Sequence, residues 1–76
     1  MSANESRNRW DGLRVGDMVS LRSRTGFTRG KVVGLSATDN NRVIVDWYDA
    51  NGNRKRKVEV AEWLRLEQKV EDIDHA

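Results

Sequence analysis

The sequence predicts an all-β fold, in which five short antiparallel strands close into a small, partly open barrel. Three observations lead to this prediction. Apolar and polar residues alternate in short segments about ten to thirteen residues apart, as expected for strands. Clusters of Gly, Asn, Asp and Ser separate these segments and are typical of turns. No helical pattern is long enough to connect parallel strands, so we expect consecutive strands to pair antiparallel.

The size and composition of the chain limit its architecture. A chain of 76 residues buries only about 60% of the surface that its unfolded state exposes, and it forms a single domain. There is no Cys, and the single histidine, His75, lies next to the C-terminal residue. We therefore expect no disulfide, no structural zinc and no cofactor.

We divide the chain into three parts. Residues 1–9 are polar and lack periodicity, so we expect a disordered tail, and residues 68–76 are expected to form an acidic tail that frays. The domain lies between them, at residues 10–67. No apolar run reaches the roughly 18 residues that span a bilayer, and the first residues lack the apolar region of a signal peptide. We expect a cytoplasmic protein without a membrane partner.

The first two strands follow an isolated aromatic residue. Trp10 is expected to pack over one open end of the core. The first strand is predicted within residues 15–22, and the polar loop after it carries Phe27 as an inward-facing anchor. The second strand is predicted at residues 29–35, where two glycines indicate a bulge or a close backbone contact. Turn-forming residues at 36–41 end this strand.

The most apolar segment of the chain begins a β-hairpin over residues 42–60. The dipeptide Asn51-Gly52 predicts a tight two-residue turn, and apolar residues alternate in both arms. The expected inward positions of the arms are Val43, Val45, Trp47, Val58 and Val60. A single helical turn at 61–64 and a fifth strand at 65–67 complete the fold.

Closing the sheet into a barrel would bury one apolar face of all five strands. Trp63 is expected to close the floor of this barrel rather than to join Phe27 and Tyr48 in an aromatic cage for methyl-lysine. The predicted core consists of Val19, Leu21, Val32, Val43, Val45, Trp47, Val58, Val60, Leu64 and Leu66.

These features, in this order, resemble the Src-homology-3-like (SH3-like) small barrels of the KOW and Tudor type. The resemblance rests on four segments: VGDMV at 15–19, GKVVGL at 30–35, VIVDW at 43–47 and VAEWL at 60–64. It implies a fold more than an activity, because such short motifs occur in proteins of many functions. Barrels of this type are commonly attached to the transcription and translation machinery. The resemblance therefore implies nucleic acid, or a subunit of such a complex, as the partner.

A weaker resemblance is to the plasmid-borne type II dihydrofolate reductases. It rests on the segments at residues 16–19 and 30–34. The activity of those enzymes depends on a Val-Gln-Ile-Tyr segment before the closing turn. Here the corresponding residues 58–61 read VEVA, without the Gln or the Tyr. The resemblance therefore does not imply this activity.

No arrangement of residues in the sequence predicts catalysis. Nucleophilic and acid–base mechanisms need groups that converge, and His75 lies in a predicted tail. Asp46 and Asp49 are three residues apart, so strand alternation places them on opposite faces. There is no glycine-rich phosphate loop. We expect a binding module rather than an enzyme, with no catalytic residue and no metal site.

Positive charge is concentrated in the first three quarters of the chain. Residues 7–57 contain twelve Lys and Arg against five Asp, whereas residues 58–76 contain two against six Asp and Glu. Outward cations are expected to form a patch that binds the phosphates of DNA or RNA, with Tyr48 as an aromatic platform. The candidate cations are Arg22, Arg24, Arg29, Lys31, Arg42, Arg54, Lys55, Arg56 and Lys57. The run at 54–57 is equally consistent with simple solvation or with protection of a sheet edge.

An alternative hypothesis is an adaptor that binds a protein or a second copy of itself. The side chains of Met18, Ile44 and Tyr48 are expected on the outer surface, where three apolar groups suggest a contact face. A terminal segment of the chain folded over that face would explain the same pattern.

Overall fold

A single antiparallel sheet of five strands forms the domain. The computed structural model describes residues 9–21 and 26–70. The strands are β1 (Met18–Ser20), β2 (Arg29–Leu35), β3 (Arg42–Tyr48), β4 (Arg54–Val60) and β5 (Arg65–Gln68). Their order across the sheet is β4-β3-β2-β1-β5, and every neighbouring pair is antiparallel. The all-β class is confirmed, and so is the pairing of consecutive strands from β1 to β4; β5 pairs with β1 instead of with β4.

The sheet is open. Strands β4 and β5 are its two edges, and no pairing joins them among residues 9–21 and 26–70. The structure therefore shows a five-stranded antiparallel sheet, and its curling into a partly open barrel stays a prediction. The helical elements described are two 3-10 turns, Arg9–Gly12 and Ala61–Trp63, and neither is long and apolar enough to cross a membrane.

The core lies on one face of the sheet and is built mainly from small branched residues. Its central side chain is Trp47, which is fully buried. Leu21 and Phe27 are half-buried and pack against the core, as predicted. The buried apolar residues are Leu13, Val19, Val32, Val43, Val45, Trp47, Ala61 and Leu64. We call this side of the sheet the inner face and the opposite side the outer face.

The hairpin differs from the prediction by one residue in register. Tyr48 pairs with Arg54, so a five-residue loop at 49–53 replaces the two-residue turn. The side chain of Asp49 holds this loop, because its Oδ1 accepts hydrogen bonds from the amides of Asn51 and Asn53 at 2.9 and 2.8 Å. A shift of one residue moves every side chain of a strand to the other face.

Val58, Val60 and Glu59 show the effect of this shift. Val58 is 59% exposed and Val60 is half-buried, so the prediction that both point into the core is wrong. Glu59 takes the inward position instead, opposite Val43. Its Oε2 accepts a hydrogen bond of 2.8 Å from the indole Nε1 of Trp47, which makes a buried carboxylate compatible with this site.

Two further core predictions are wrong. Trp63 is 65% exposed and does not close the floor of the core. Leu66 is exposed as well, because it pairs with Val19 from β5, at the open edge of the sheet. Both predictions depend on a sheet that curls into a barrel and brings β4 and β5 together, whereas in the described sheet these two strands lie at opposite edges.

The glycines of β2 have the predicted roles. A Cβ atom on Gly30 would lie 2.7 Å from Trp47 Cζ3 and from Val45 Cγ1, so only glycine lets β2 approach these core side chains. The pairing of β2 with β3 shifts between Val32 and Gly34, which is the predicted bulge.

Trp10 packs against the core near the end of β2, as predicted. Its indole Nε1 donates to the carbonyl oxygen of Ser36 at 3.1 Å, and its amide donates to the carbonyl oxygen of Asn40 at 2.6 Å. Trp10 and Asp11 have positive φ angles of 51° and 54°, which disfavour most side chains. These hydrogen bonds help to hold the turn in that conformation.

A buried carboxylate joins the two ends of the described chain, which the sequence analysis did not predict. Asp17 is fully buried and accepts hydrogen bonds from the amides of Arg14 and Val70 and from Lys69 Nζ. Residues 69 and 70, assigned to a frayed tail, are thus bonded to the start of β1. Arg9 and Gln68, also predicted to lie in the tails, belong to the first 3-10 turn and to β5. The other residues of the predicted tails, 1–8 and 71–76, lie outside the described residues.

Candidate nucleic-acid interface

The outer face carries two adjacent rows of polar side chains across β2, β3 and β4. In the first row Tyr48 lies between Arg29 and Arg54, and in the second Asp46 lies between Lys31 and Arg56. Directly paired residues of antiparallel strands project from the same face with Cβ atoms about 5 Å apart. Four cations therefore surround one tyrosine and one carboxylate. We call these six residues the basic face.

Asp46 is the centre of the basic face. Its side chain is only 3% exposed, and the two arginines of β4 contact it. Arg56 binds it through two hydrogen bonds, from Nε to Oδ1 at 2.7 Å and from Nη2 to Oδ2 at 3.1 Å. Arg54 Nη1 lies 3.8 Å from Oδ2. The hydrogen bonds from Arg56 hold the pKa of Asp46 below its ordinary value, and burial opposes them only in part.

The arginines stay available to a ligand. The side chains of Arg54 and Arg56 are both 60% exposed despite their contacts with Asp46. A guanidinium group has five N–H donors, and the carboxylate uses only part of them. Asp46 thus orients the two arginines while their outer edges face solvent. A side chain that is already ordered loses less conformational entropy when it binds an anion.

Tyr48 and Met18 are half-buried on the outer face, as predicted. Tyr48 has an arginine on each side in its row. Met18 lies on β1, two strands away from Tyr48 on β3, and pairs with Lys31 of β2. The aromatic ring and the thioether are therefore both part of the surface that carries the cations.

A groove extends the basic face toward β5. It has a volume of about 450 Å³ and runs over β1, which is only three residues long. Its lining residues are Met18, Val19, Ser20, Thr28, Arg29, Glu67 and Gln68. Because Arg29 belongs to both, the groove and the basic face are continuous.

Ile44 lies at the other end of the outer face. It pairs with Gly34 on one side and with the exposed Val58 on the other. Asp46 separates it from Tyr48 along β3. The predicted group of Met18, Ile44 and Tyr48 is therefore on one face of the sheet but is divided by the charged row.

The predicted cations do not all meet. Lys55 and Lys57 pair with Trp47 and Val45, so their side chains leave β4 on the inner face, opposite to Arg54 and Arg56. Lys55 Nζ lies 5.5 Å from the ring centre of Phe27. Arg42 is beyond Ile44 on β3, and its Nε binds Asp39 Oδ2 at 3.0 Å. Arg22 and Arg24 lie outside the described residues.

A second cavity, of about 370 Å³, lies between the two 3-10 turns. It is lined by Asp11, Asn41, Ala61 and Glu62. Within residues 9–21 and 26–70, no group of three His, Asp or Glu side chains is arranged to hold a metal ion. Asp11 and Glu62 are the two acidic residues of this lining.

Two parts of the site were missed by sequence reasoning. The first is Asp46, for which the sequence analysis predicts no role in binding. An acidic residue inside an apolar strand, with arginines in the opposite arm of the hairpin, is a sequence signal for a buried ion pair. The groove depends on how β1, β2 and β5 come together. No local pattern in the sequence encodes this juxtaposition.

Comparisons with protein-family models, curated proteins and solved structures gave no match. The resemblance to SH3-like barrels therefore stays an expectation from short motifs. The assignment of a role to this chain depends on the geometry of the outer face.

Proposed function

We infer that this protein is a small non-enzymatic module that binds nucleic acid through its basic face. The observation that carries the proposal is the convergence of Arg29, Lys31, Arg54 and Arg56 around Tyr48. The cations come from two strands that are not neighbours in the sheet, and the register of β3 between them sets their spacing.

The charge balance of the face supports an anionic ligand. The four cations are opposed by one carboxylate, Asp46, which is buried beneath them. A surface whose single anion is covered has a positive potential toward solvent, and it attracts phosphates at long range. Guanidinium groups with a fixed orientation suit phosphate oxygens in particular, because they can donate two parallel hydrogen bonds.

The test removes three positive charges from the basic face without disturbing the Arg56–Asp46 pair. The variant is Arg29→Gln/Lys31→Gln/Arg54→Gln, and binding of a fluorescent oligonucleotide is followed by anisotropy at several salt concentrations. Each phosphate contact contributes about −0.7 to −0.9 to the slope of log K against log[salt]. If all three cations bind phosphates, the slope becomes shallower by about 2 to 3 units.

The control variant carries the same change of net charge elsewhere on the molecule. In Arg42→Gln/Lys55→Gln/Lys57→Gln the charges removed come from the inner face of β4 and from the far end of β3. We expect this variant to bind with nearly the slope of the original protein. Equal losses in the two variants would show that only net charge matters, and would refute a defined basic face.

A second candidate is self-association through the apolar end of the outer face. The observation in its favour is the pair of Ile44 and the exposed Val58, which lies on β4, an edge strand of the sheet formed by the described residues. Two side chains provide far less than the roughly 800 Å² per partner of a stable interface. Sedimentation of Val58→Lys tests this candidate: loss of a concentration-dependent dimer would support it, and a monomer in both proteins would exclude it.

A further inference from the structure

The groove beside the basic face is lined by a thioether and by several polar side chains. Its floor is Met18 and the small Ser20 on β1. On one side are Thr28 and Arg29, and on the other are Glu67 and Gln68. A volume of about 450 Å³ is within the range of small-ligand sites, and the groove is open toward the outer face.

The lining can contact both the face and the edge of a nucleobase. A thioether such as that of Met18 makes favourable contacts with aromatic rings. The exposed amide of Gln68 has donors and an acceptor, and the hydroxyl of Thr28 can act as either. Donors and acceptors of this kind can hydrogen-bond the base edges that single-stranded regions expose.

The position of the groove fits a chain that continues across the basic face. From β4 to β1 the outer face presents Arg54, then Tyr48, then Arg29, and then the groove. Neighbouring strands lie about 4.8 Å apart, so Tyr48 on β3 and the groove over β1 are about 10 Å apart. A base on Tyr48 and another in the groove would leave the phosphates near Arg29.

We propose that the groove holds an unstacked base of a single-stranded nucleic acid whose backbone lies on the basic face. This inference rests on the proposed function and specifies its ligand. In a duplex the bases are stacked and paired, so only phosphates and groove edges would reach the protein. Single strands can place a base on an aromatic ring or in a pocket, and this gives them additional affinity.

The experiment compares three fluorescent probes of about 12 nucleotides at low salt. They are a single-stranded DNA of mixed sequence, the corresponding duplex, and an abasic deoxyribose-phosphate strand of the same length. We expect the single strand to bind at least about tenfold more tightly than the other two. Equal binding of all three would overturn the base site but leave the proposed function in place. Absence of binding to every probe would overturn both.

Two groove variants, Thr28→Trp and Gln68→Ala, and one control variant, Ala37→Trp, locate the effect. Thr28→Trp fills the groove from an exposed position just before β2, and Ala37→Trp adds the same side chain to the loop after β2, at the other end of that strand. We expect Thr28→Trp to remove the preference for the single strand and to keep duplex binding, which also reports that the variant is folded. Ala37→Trp should behave like the original protein. Gln68→Ala, which keeps the backbone pairing with Met18, should reduce the preference in part. A preference unchanged in both groove variants would refute the site.

Discussion

Replacing Asp17 with Asn tests whether a buried carboxylate holds the C-terminal end of the domain. Oδ1 of Asp17 accepts a hydrogen bond from the Val70 amide at 2.7 Å. Oδ2 accepts two, from the Arg14 amide at 2.9 Å and from Lys69 Nζ at 3.1 Å. All three partners are donors. An asparagine side chain has one acceptor oxygen and one donor NH₂ group, so in either orientation a donor faces a donor.

The size of the effect follows from these contacts. Loss of a hydrogen bond to a charged group costs about 1.5–3 kcal/mol, and a buried donor without an acceptor adds about 1–3 kcal/mol. Asp17 is fully buried, so water does not replace the lost partner. We expect Asp17→Asn to lower the free energy of unfolding by about 3 kcal/mol. For a domain of this size that corresponds to a fall in Tm of about 15 °C.

The effect should depend on pH in a defined direction. Burial raises the pKa of Asp17, but the hydrogen bonds from Val70, Arg14 and Lys69 outweigh it and hold the pKa below its ordinary value. A carboxyl group whose pKa is lowered by folding stabilises the protein above its unfolded pKa, near 3.9. This stabilisation is lost as the pH falls through the folded pKa. The difference between the original protein and Asp17→Asn should therefore be largest near neutral pH and shrink below about pH 4.

The assay is urea denaturation followed by tryptophan fluorescence, at pH 7 and at a series of lower pH values. Asp11→Asn is the matched control, because Asp11 is an exposed acid close in sequence. Its effect should stay within about 0.5 kcal/mol. The reasoning is refuted if the two variants are equally stable at pH 7, or if the deficit of Asp17→Asn grows as the pH is lowered.

Two further predictions concern the sheet. Val58→Thr should change the free energy of unfolding by less than about 0.5 kcal/mol, because Val58 is exposed, whereas Val45→Ala in the core should lower it by about 2 kcal/mol. Urea denaturation measures both values. A comparable loss in the two variants would place Val58 in the core and contradict the observed register. Gly30→Ala should cost more than about 2 kcal/mol, because its Cβ would overlap Trp47 and Val45, and Gly34→Ala should cost less, because its nearest neighbour is the flexible end of Ile44 at 3.0 Å. Equal melting temperatures of the two glycine variants would show that β2 can move away from the core.

The parts of the fold that could be predicted are those with strong local signals. The limits of β2 at 29–35 follow from its apolar residues and from the turn-forming segments on both sides. The close contact and the bulge at the two glycines of this strand were predictable for the same reason. Trp10 and Phe27 pack against the core because single aromatic residues in polar segments are strongly driven toward burial.

The register of the hairpin could not be predicted from the same kind of signal. Asn51-Gly52 is a strong indicator of a two-residue turn, and the valines at 58 and 60 agree with it. The competing contribution comes from Asp49, whose carboxylate accepts two backbone hydrogen bonds within a longer loop. The Glu59–Trp47 hydrogen bond and the Arg56–Asp46 pair add to it. The last two join side chains on opposite arms of the hairpin. With the Asp49 contacts they favour the observed register over one that buries two valines.

Some site residues were predictable and others were not. Arg29 and Lys31 were expected outside because β2 alternates regularly. The distribution of the four cations at 54–57 depended on the register, so sequence analysis could name the run but not the two members that share a face with Tyr48.

The register that the loop at 49–53 joins thus determines the chemistry of the outer face. If β4 slipped by one residue along β3, it would present Lys55 and Lys57 where Arg54 and Arg56 now lie. Ammonium groups would replace guanidinium groups around Asp46 and lose the two-pronged contact that orients them. In this molecule a difference of one residue in the register of β4 decides between two surfaces. One presents guanidinium groups that can bind two oxygen atoms of the same anion, and the other presents ammonium groups that act as point charges.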